Sequence, residues 1–240
     1  HGKYLGRVAL EIKNGKVVDH NSYLIPVLAD VVEPDQEMAA KIAEVRAPYE
    51  AECNRVIGKT DSLLYRRGNF NGTWDDLICN SMMSERDAEL SFSPGFRWGT
   101  TNLPGADITV DDLYNQTSMN YPSVYRLEFT GTQIKEILED VCDNLFNKDP
   151  FSQQGGDMVR VGGMGYTCAP KENIGSRISN MTHLKTGEPI DASRTYVVAG
   201  WASVNENVEG PPVWDVVETH IKQLQTVQIN PNTSVKVTGI

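Results

Sequence analysis

Segments with helical periodicity alternate irregularly with short strand-like runs, and this mixture constrains the fold of the 240-residue chain more than any other feature. Apolar residues three or four positions apart predict a helix from Met38 to Val56, interrupted at Pro48, and a second helix over Trp74–Met82. Similar stripes predict helices over Ile134–Leu145 and Trp214–Leu224. Thr109, followed three residues later by Asp112, predicts a capped short helical turn. The strand-like runs are AELSFS, YRLEF, MVRV, TYVVAGW and SVKVTG. Because strict βαβ alternation is absent, we expect an α+β fold with mixed sheets flanked by helices.

The first thirty residues have the pattern of a β-hairpin. Val8, Leu10 and Ile12 alternate with more polar residues, and Asn14-Gly15 is a pair favoured in tight hairpin turns. A two-stranded hairpin is only marginally stable by itself, so its apolar face is expected to need a packing partner. We therefore divide the chain into a hairpin and linker at 1–30 and a main domain at 31–240.

The charge balance argues against two classes of partner. The chain has 22 Lys and Arg against 32 Asp and Glu, a net charge of −10 that disfavours non-specific attraction to nucleic acid or an acidic membrane surface. No apolar run approaches the length of about 18 residues that a membrane span requires, which predicts a soluble chain. The cysteines show no CxxC pair. They fit either buried small apolar residues or one or two disulfides of an exported protein.

Three segments are rich in Gly, Asn and Arg. In YRRGNFNG, the side chains of Arg66, Arg67, Asn69 and Asn71 can surround a tetrahedral oxyanion with planar donors. The alternative is a helix-entry loop in which the asparagines cap backbone amides and the arginines are solvated.

The other two segments each contain an arginine in a glycine-rich setting. In FSPGFRWG, Arg97 lies between two aromatic residues, which suits either a held anion ligand or a cation–π brace. In QQGGDMVRVGG, glycine pairs flank a short strand with Asp157 and Arg160, and two turns at the ends of a hairpin strand explain most of the pattern. No phosphate-binding loop motif occurs in the chain.

Signs of a catalytic centre within this chain are missing. The four histidines show neither HxH nor HxxxH spacing, and there is no GxSxG elbow. A metal site built from this chain alone is not expected. The residues by themselves therefore indicate a recognition domain with candidate anion ligands.

Several of these segments, in their order along the chain, resemble a known family. YRRGNFNGTWDDLI, FSPGFRWGTT, YRLEFTGTQIKEILED and TYVVAGW are similar to the C-terminal domain of the 5′-nucleotidase family of two-domain metallophosphoesterases. RRGNFNG, SPGFRWG, NYPSVY, DNLFN and QQGGDMVRVGG are more similar still to the SoxB thiosulfohydrolases of sulfur oxidation within that family. The resemblance covers nearly the whole chain.

The resemblance implies that another domain performs the chemistry. The preceding N-terminal domain would hold two metal ions, with manganese expected, and residues 1–30 resemble its last hairpin. The present chain would bind substrate and be inactive alone. The family's substrate arginine corresponds to Arg97, a second one to Arg66 or Arg67, and one of its two base-clamping aromatics to Tyr121. The second aromatic motif has no counterpart in GWASVNENVEG, which favours a thiosulfohydrolase over a nucleotidase.

That resemblance also implies a partner and a location. The substrate would be a thiosulfonate on a cysteine in the C-terminal arm of a sulfur carrier protein, hydrolysed to sulfate in the bacterial periplasm. Arg97 would orient the sulfonate, while Arg66, Arg67, Asn69 and Asn71 line the cleft. The alternatives are hydrolysis of a nucleotide or nucleotide-sugar by the same architecture, and a non-enzymatic module that binds a protein arm.

Overall fold

The computed structural model describes residues 2–66, 68–96, 99–117, 120–154, 156–203 and 208–239. The helices are α1 Gln36–Arg46, α2 Glu50–Cys53, α3 Thr73–Glu85, α4 Val110–Gln116, α5 Gly131–Phe146 and α6 Val213–Leu224. The strands are β1 Tyr4–Lys13, β2 Lys16–Pro26, β3 Val56–Thr60, β4 Leu90–Gly95, β5 Asp107–Thr109, β6 Tyr125–Thr130, β7 Asp157–Gly162, β8 Met164–Cys168, β9 Ile178–His183, β10 Thr195–Gly200, β11 Thr226–Val227 and β12 Val235–Val237. Within these ranges, no helix is long and apolar enough to cross a membrane.

The chain forms two compact units, His1–Ala51 and Glu52–Ile240. In the first, β1 and β2 pair in antiparallel fashion around a turn in which Asn14 and Gly15 both have positive φ, 53° and 74°. The predicted hairpin and its turn are therefore confirmed. Every residue of both strands is exposed. The assignment of residues 1–30 to the end of a preceding domain, separate from 31–240, stays a prediction.

The helix expected between Met38 and Val56 is interrupted as predicted but is shorter. The helix α1 ends at Arg46, Pro48 follows the capping residue Ala47, and α2 is a single turn. Because Pro48 has no backbone N–H to donate to the carbonyl four residues earlier, and its ring crowds that carbonyl, the helix does not continue through this point. Val56 begins strand β3 instead, so its inclusion in the helix was wrong.

The described residues of the second unit form three sheets. The largest has the order β6-β10-β4-β7, in which β10 and β4 are parallel and the outer pairs are antiparallel. The other two are β11-β3-β5 and β12-β8-β9. The expected α+β architecture with mixed sheets is confirmed. The interpretation of β7 as a hairpin strand is wrong, because β7 pairs with β4 whereas β8 belongs to another sheet.

Two apolar clusters hold the helices on these sheets. One contains the buried faces of α3 and α6, and the other contains the buried face of α5 packed beside β7 and β8. Helix starts follow the expected capping chemistry. Thr109 and Asp112 form the predicted capping box at α4, and Thr130 with Gln133 forms another at α5.

The carboxylate of Glu139 on α5 takes the place of backbone carbonyl acceptors for the segment that leads into β9. Its buried carboxylate accepts hydrogen bonds from the backbone N–H groups of Gly175 at 2.8 Å, Arg177 at 3.3 Å and Ile178 at 2.8 Å. We expect Glu139→Ala to lower the free energy of unfolding by about 2–4 kcal/mol, because it leaves buried donors unpaired. Urea denaturation measures this loss.

Glu136 provides the matched control, since it lies one turn earlier on α5 and is exposed. Glu136→Ala should change the stability by no more than about 0.5 kcal/mol. Equal effects of the two substitutions would contradict the role assigned to Glu139.

Candidate functional site

Arg66 is a structural centre of the YRRGNFNG loop. Its side chain is fully buried. Its guanidinium donates from Nε to Asp75 Oδ1 at 2.7 Å, from Nη1 to the carbonyl of Gln116 at 2.5 Å and from Nη2 to the carbonyl of Pro94 at 2.9 Å. These bonds join the loop to α3, to the end of α4 and to the end of β4. The expectation of solvated arginines is wrong for Arg66, while Arg67 lies outside the described residues.

Asp75 lies at the centre of this charge cluster. It is fully buried in the first turn of α3. Its Oδ2 accepts from the backbone N–H of Gly72 at 3.0 Å and lies 3.4 Å from Nε of Arg160. One carboxylate therefore serves two buried guanidiniums. Asp75 is not recognisable from the sequence as a site residue, because an acidic residue in the first turn of a helix is ordinary.

Arg160 brings the third glycine-rich segment to the same place. It is fully buried on β7, and its Nη2 donates to Asp157 Oδ2 at 3.0 Å and to the carbonyl of Gly68 at 2.9 Å. The neighbouring amide of Met158 donates to the carbonyl of Asn69 at 3.0 Å. The RRGNFNG loop is thus attached along β7. Asp157 and Arg160 have a positioning role here that their glycine-rich setting alone did not reveal.

The SPGF segment is held on both sides as it approaches Arg97. A Cβ on Gly95 would lie 2.3 Å from the carbonyl oxygen of Asp157, so only glycine permits β4 to approach β7 this closely. The Arg66 guanidinium lies 5.5 Å from the centre of the Phe96 ring, and that ring meets the edge of Trp201 at 5.6 Å. Arg97 itself lies outside the described residues.

The two asparagines of the loop differ in their surroundings. Asn71 donates from Nδ2 to Asp76 Oδ1 at 2.7 Å and to the carbonyl of Val161 at 3.2 Å, so its amide supports the loop from inside. Asn69 is exposed. It borders a cavity of about 490 Å³. The cavity is also lined by Phe70, Leu145, Phe146, Lys148 and Lys171.

Tyr121 is exposed beside the end of β10. Its carbonyl accepts from the backbone N–H of Ala202 at 3.1 Å, and both residues have positive φ, 52° and 61°. Left-handed conformations of residues other than glycine are uncommon and cluster at functional sites. Trp201, by contrast, is buried and donates from Nε1 to Ser93 Oγ at 2.9 Å. It is therefore part of the packing beneath the SPGF segment.

Burial dominates the electrostatics of the cluster. It raises the pKa of the Asp75 carboxyl, and the charges of Arg66 and Arg160 oppose that effect. Burial also lowers the pKa of the Arg66 guanidinium, which Asp75 counteracts. An arginine nevertheless stays charged at neutral pH, because its ordinary pKa lies far above 7. Burial raises the pKa of Asp76 as well, opposed by hydrogen bonds from Asn71 and the backbone of Asn232.

The structure therefore brings the three glycine-rich segments together around Asp75. Arg66, Asn71 and Arg160 brace the loops from inside, whereas Asn69 and Tyr121 are available to a ligand. No group of three His, Cys, Asp or Glu side chains within the described ranges can hold a metal ion. The arrangement suits the positioning of an anion by loop residues, and we derive no metal chemistry for this chain.

Comparison with known proteins identifies relatives of this fold. A model of the family described as "5′-nucleotidase, C-terminal domain" matches residues 56–216. The solved structure of the sulfate thiohydrolase SoxB from Thermus thermophilus, in complex with glycerol, superposes with a TM-score of 0.89 and 33% identity. That match covers 100% of this chain and 45% of the SoxB chain.

More distant relatives share the architecture. A 5′-nucleotidase precursor, also from Thermus thermophilus, superposes with a TM-score of 0.76 at 17% identity over 98% of this chain and 50% of its own. The trifunctional nucleotide phosphoesterase protein YfkN of Bacillus subtilis is 26% identical over 187 residues, which are 74% of this chain and 12% of that protein. The chain thus spans half or less of the length of these relatives.

Proposed function

Because the chain belongs to the family of 5′-nucleotidase C-terminal domains, we propose that it is the substrate-binding domain of a periplasmic thiosulfohydrolase. The observation that carries this proposal is the likeness to SoxB, which extends over 100% of the chain at 33% identity. Identity to the 5′-nucleotidase precursor over nearly the same length is 17%. The substrate is a cysteine-S-thiosulfonate on the C-terminal arm of a sulfur carrier protein.

The proposed reaction is the hydrolysis of the terminal sulfur–sulfur bond of that group. The oxygen of water forms a bond to the sulfonate sulfur, and the bond between this sulfur and the sulfane sulfur breaks. The electron pair of the broken bond and a proton go to the sulfane sulfur. The products are sulfate and a carrier persulfide, and the second proton of the water is released to solvent. The sulfonate is tetrahedral and anionic, so it requires fixed donors much as a phosphoryl group does.

In this proposal the residues of the chain divide into ligands and supports. Arg97 binds the sulfonate, with Arg67, Asn69 and Tyr121 along the approach to it. Arg66, Asn71 and Arg160 keep the loops in place through the bonds to Asp75, Asp76 and the backbone described above. Because the supports are buried, the ligands do not need to order themselves when substrate arrives.

The cavity beside Asn69 fits the carrier's arm. Its lining combines the apolar side chains of Phe70, Leu145 and Phe146 with two cationic side chains, Lys148 and Lys171. An extended peptide arm bearing an anionic group meets complementary chemistry at such a surface. We assign this cavity to the arm rather than to the sulfonate.

The remaining parts of the enzyme lie in the same polypeptide. An N-terminal metallophosphoesterase domain would precede this chain and hold two manganese ions, which would supply an activated hydroxide. The chain alone is inactive. The periplasmic location follows from the proposed chemistry.

The proposal is tested by assaying the polypeptide that contains this chain and its preceding domain. The charged carrier, AMP and a nucleotide-sugar are offered separately, and sulfate and phosphate are quantified by ion chromatography. We expect sulfate from the carrier and no comparable phosphate release. Phosphate release without sulfate release identifies a nucleotidase, and carrier binding without either product identifies a non-enzymatic module.

Nucleotide hydrolysis is the second candidate, favoured by the exposure of Tyr121 beside β10 and by the YfkN relative. If a base stacks on this ring, Tyr121→Ala should raise KM for a nucleotide. Tyr121→Phe retains the ring and serves as the control. Under the thiosulfohydrolase proposal, adenosine produces no chemical-shift changes near Tyr121.

A further inference from the structure

Two of the four cysteines meet in the core. Cys142 is on α5 and Cys168 ends β8, and both side chains are fully buried. Their Sγ atoms lie 3.5 Å apart, in contact. The other two cysteines lie elsewhere, since Cys79 belongs to the other apolar cluster and Cys53 ends α2.

We propose that Cys142 and Cys168 form a disulfide in the mature protein. The bond joins helix α5 to β8, the central strand of the β12-β8-β9 sheet. It closes the loop 142–168, which includes β7 with Asp157 and Arg160. The disulfide therefore restrains the segment that braces the candidate site, and the inference does not depend on which substrate binds there.

The two thiols contact each other in the folded chain and share a hydrogen bond for which either sulfur can be the donor. Thiolates attack disulfides, and the product is the same whichever of the two cysteines attacks first.

The oxidant is a small or protein disulfide, as found where exported proteins fold. In one of the two orders, the Cys168 thiolate attacks one of its sulfurs and releases one thiol. The Cys142 thiolate then attacks the Cys168 side of the mixed disulfide and releases the second thiol. In total, two cysteine thiols and one disulfide give one protein disulfide and two thiols. Because both side chains are buried, the exchange precedes final packing of α5, and the finished bond is shielded from reductants.

The test uses the reduced, unfolded 240-residue chain, refolded with glutathione disulfide. Free thiols are then blocked with N-ethylmaleimide in denaturant, and the chain is digested with trypsin without reduction. Mass spectrometry should find peptide 136–148 linked to peptide 161–171, with Cys53 and Cys79 alkylated. Four alkylated cysteines in the refolded chain, or a different linkage, would overturn the proposal.

Thermal unfolding provides a second readout. We expect the oxidised chain to melt about 5–15 °C above the same chain that has been unfolded, reduced with dithiothreitol and refolded in its presence. Cys142→Ala and Cys168→Ala should each remove that difference, and Cys53→Ala should keep it. If dithiothreitol lowers Tm equally in Cys142→Ala, the stabilisation comes from elsewhere and the assignment is wrong.

Discussion

Asp75→Asn is expected to destabilise the Glu52–Ile240 unit by about 3–5 kcal/mol, the usual effect of removing one partner from a buried ion pair. The substitution preserves the shape of the side chain but leaves Arg66 without its carboxylate and Arg160 with Asp157 alone. The new amide NH₂ must also face either Nε of Arg66 or the backbone N–H of Gly72, both of which are donors. Urea denaturation at neutral pH measures the loss.

Asp76→Asn is the matched control. Asp76 is the next residue of α3 and is also buried, but its carboxylate accepts from the neutral amide of Asn71 and from the backbone of Asn232. The Asn71 amide can rotate to present its oxygen, so the loss should be about 1 kcal/mol. Similar losses for both substitutions would show that burial, rather than the arginine pair, determines the effect.

A double substitution measures the interaction between Asp75 and Arg66 separately from the other contacts of each residue. If Asp75 stabilises mainly by neutralising Arg66, then Asp75→Asn combined with Arg66→Met should cost clearly less than the sum of the single changes. A strictly additive result would mean that the two side chains act independently. This cycle also shows whether the loop segments depend on Arg66 for their position or only for their stability.

Local patterns predicted a large part of the fold. The Asn14-Gly15 turn, the Thr109–Asp112 capping box and the apolar stripe of α5 each depend on residues within a few positions of one another. The strands β8 and β9 were missed because their sequences, MGYTC and ISNMTH, lack a clear alternation of apolar and polar residues. The two strands pair with each other, and β8 pairs also with the distant strand β12, a contact that local pattern does not contain.

The candidate site was predictable in composition but not in arrangement. The three glycine-rich segments could be selected from sequence, yet their convergence depends on contacts from Arg66 to Pro94 and from Arg160 to Gly68, 28 and 92 positions apart. The burial of Arg66 could not be foreseen, because an arginine in a polar loop is ordinarily solvated. Asp75 offered no sequence clue, since it is one of two adjacent acidic residues in the first turn of a helix, where such residues are ordinary.

Arg97→Ala in the two-domain protein is expected to lower kcat/KM for sulfate release from the charged carrier by about 10²-fold or more, as for deletion of a donor to a developing anion. The residues preceding Arg97 support this expectation. Pro94 is bonded to Arg66, Gly95 is packed on β7, and Phe96 is held between Arg66 and Trp201. These contacts fix the described segment that leads to Arg97, which favours preorganised binding of an anion beside it.

Two comparisons separate a ligand role from a structural one. Arg97→Lys keeps the charge but loses the planar fork, so its activity should lie between those of the wild type and Arg97→Ala. Arg194→Ala removes an arginine that contacts Glu89 on the surface, and should leave activity unchanged. All three variants should keep the wild-type Tm, unlike Asp75→Asn. Undiminished sulfate release by folded Arg97→Ala would exclude Arg97 as the sulfonate ligand and leave Arg67 as the remaining candidate in these loops.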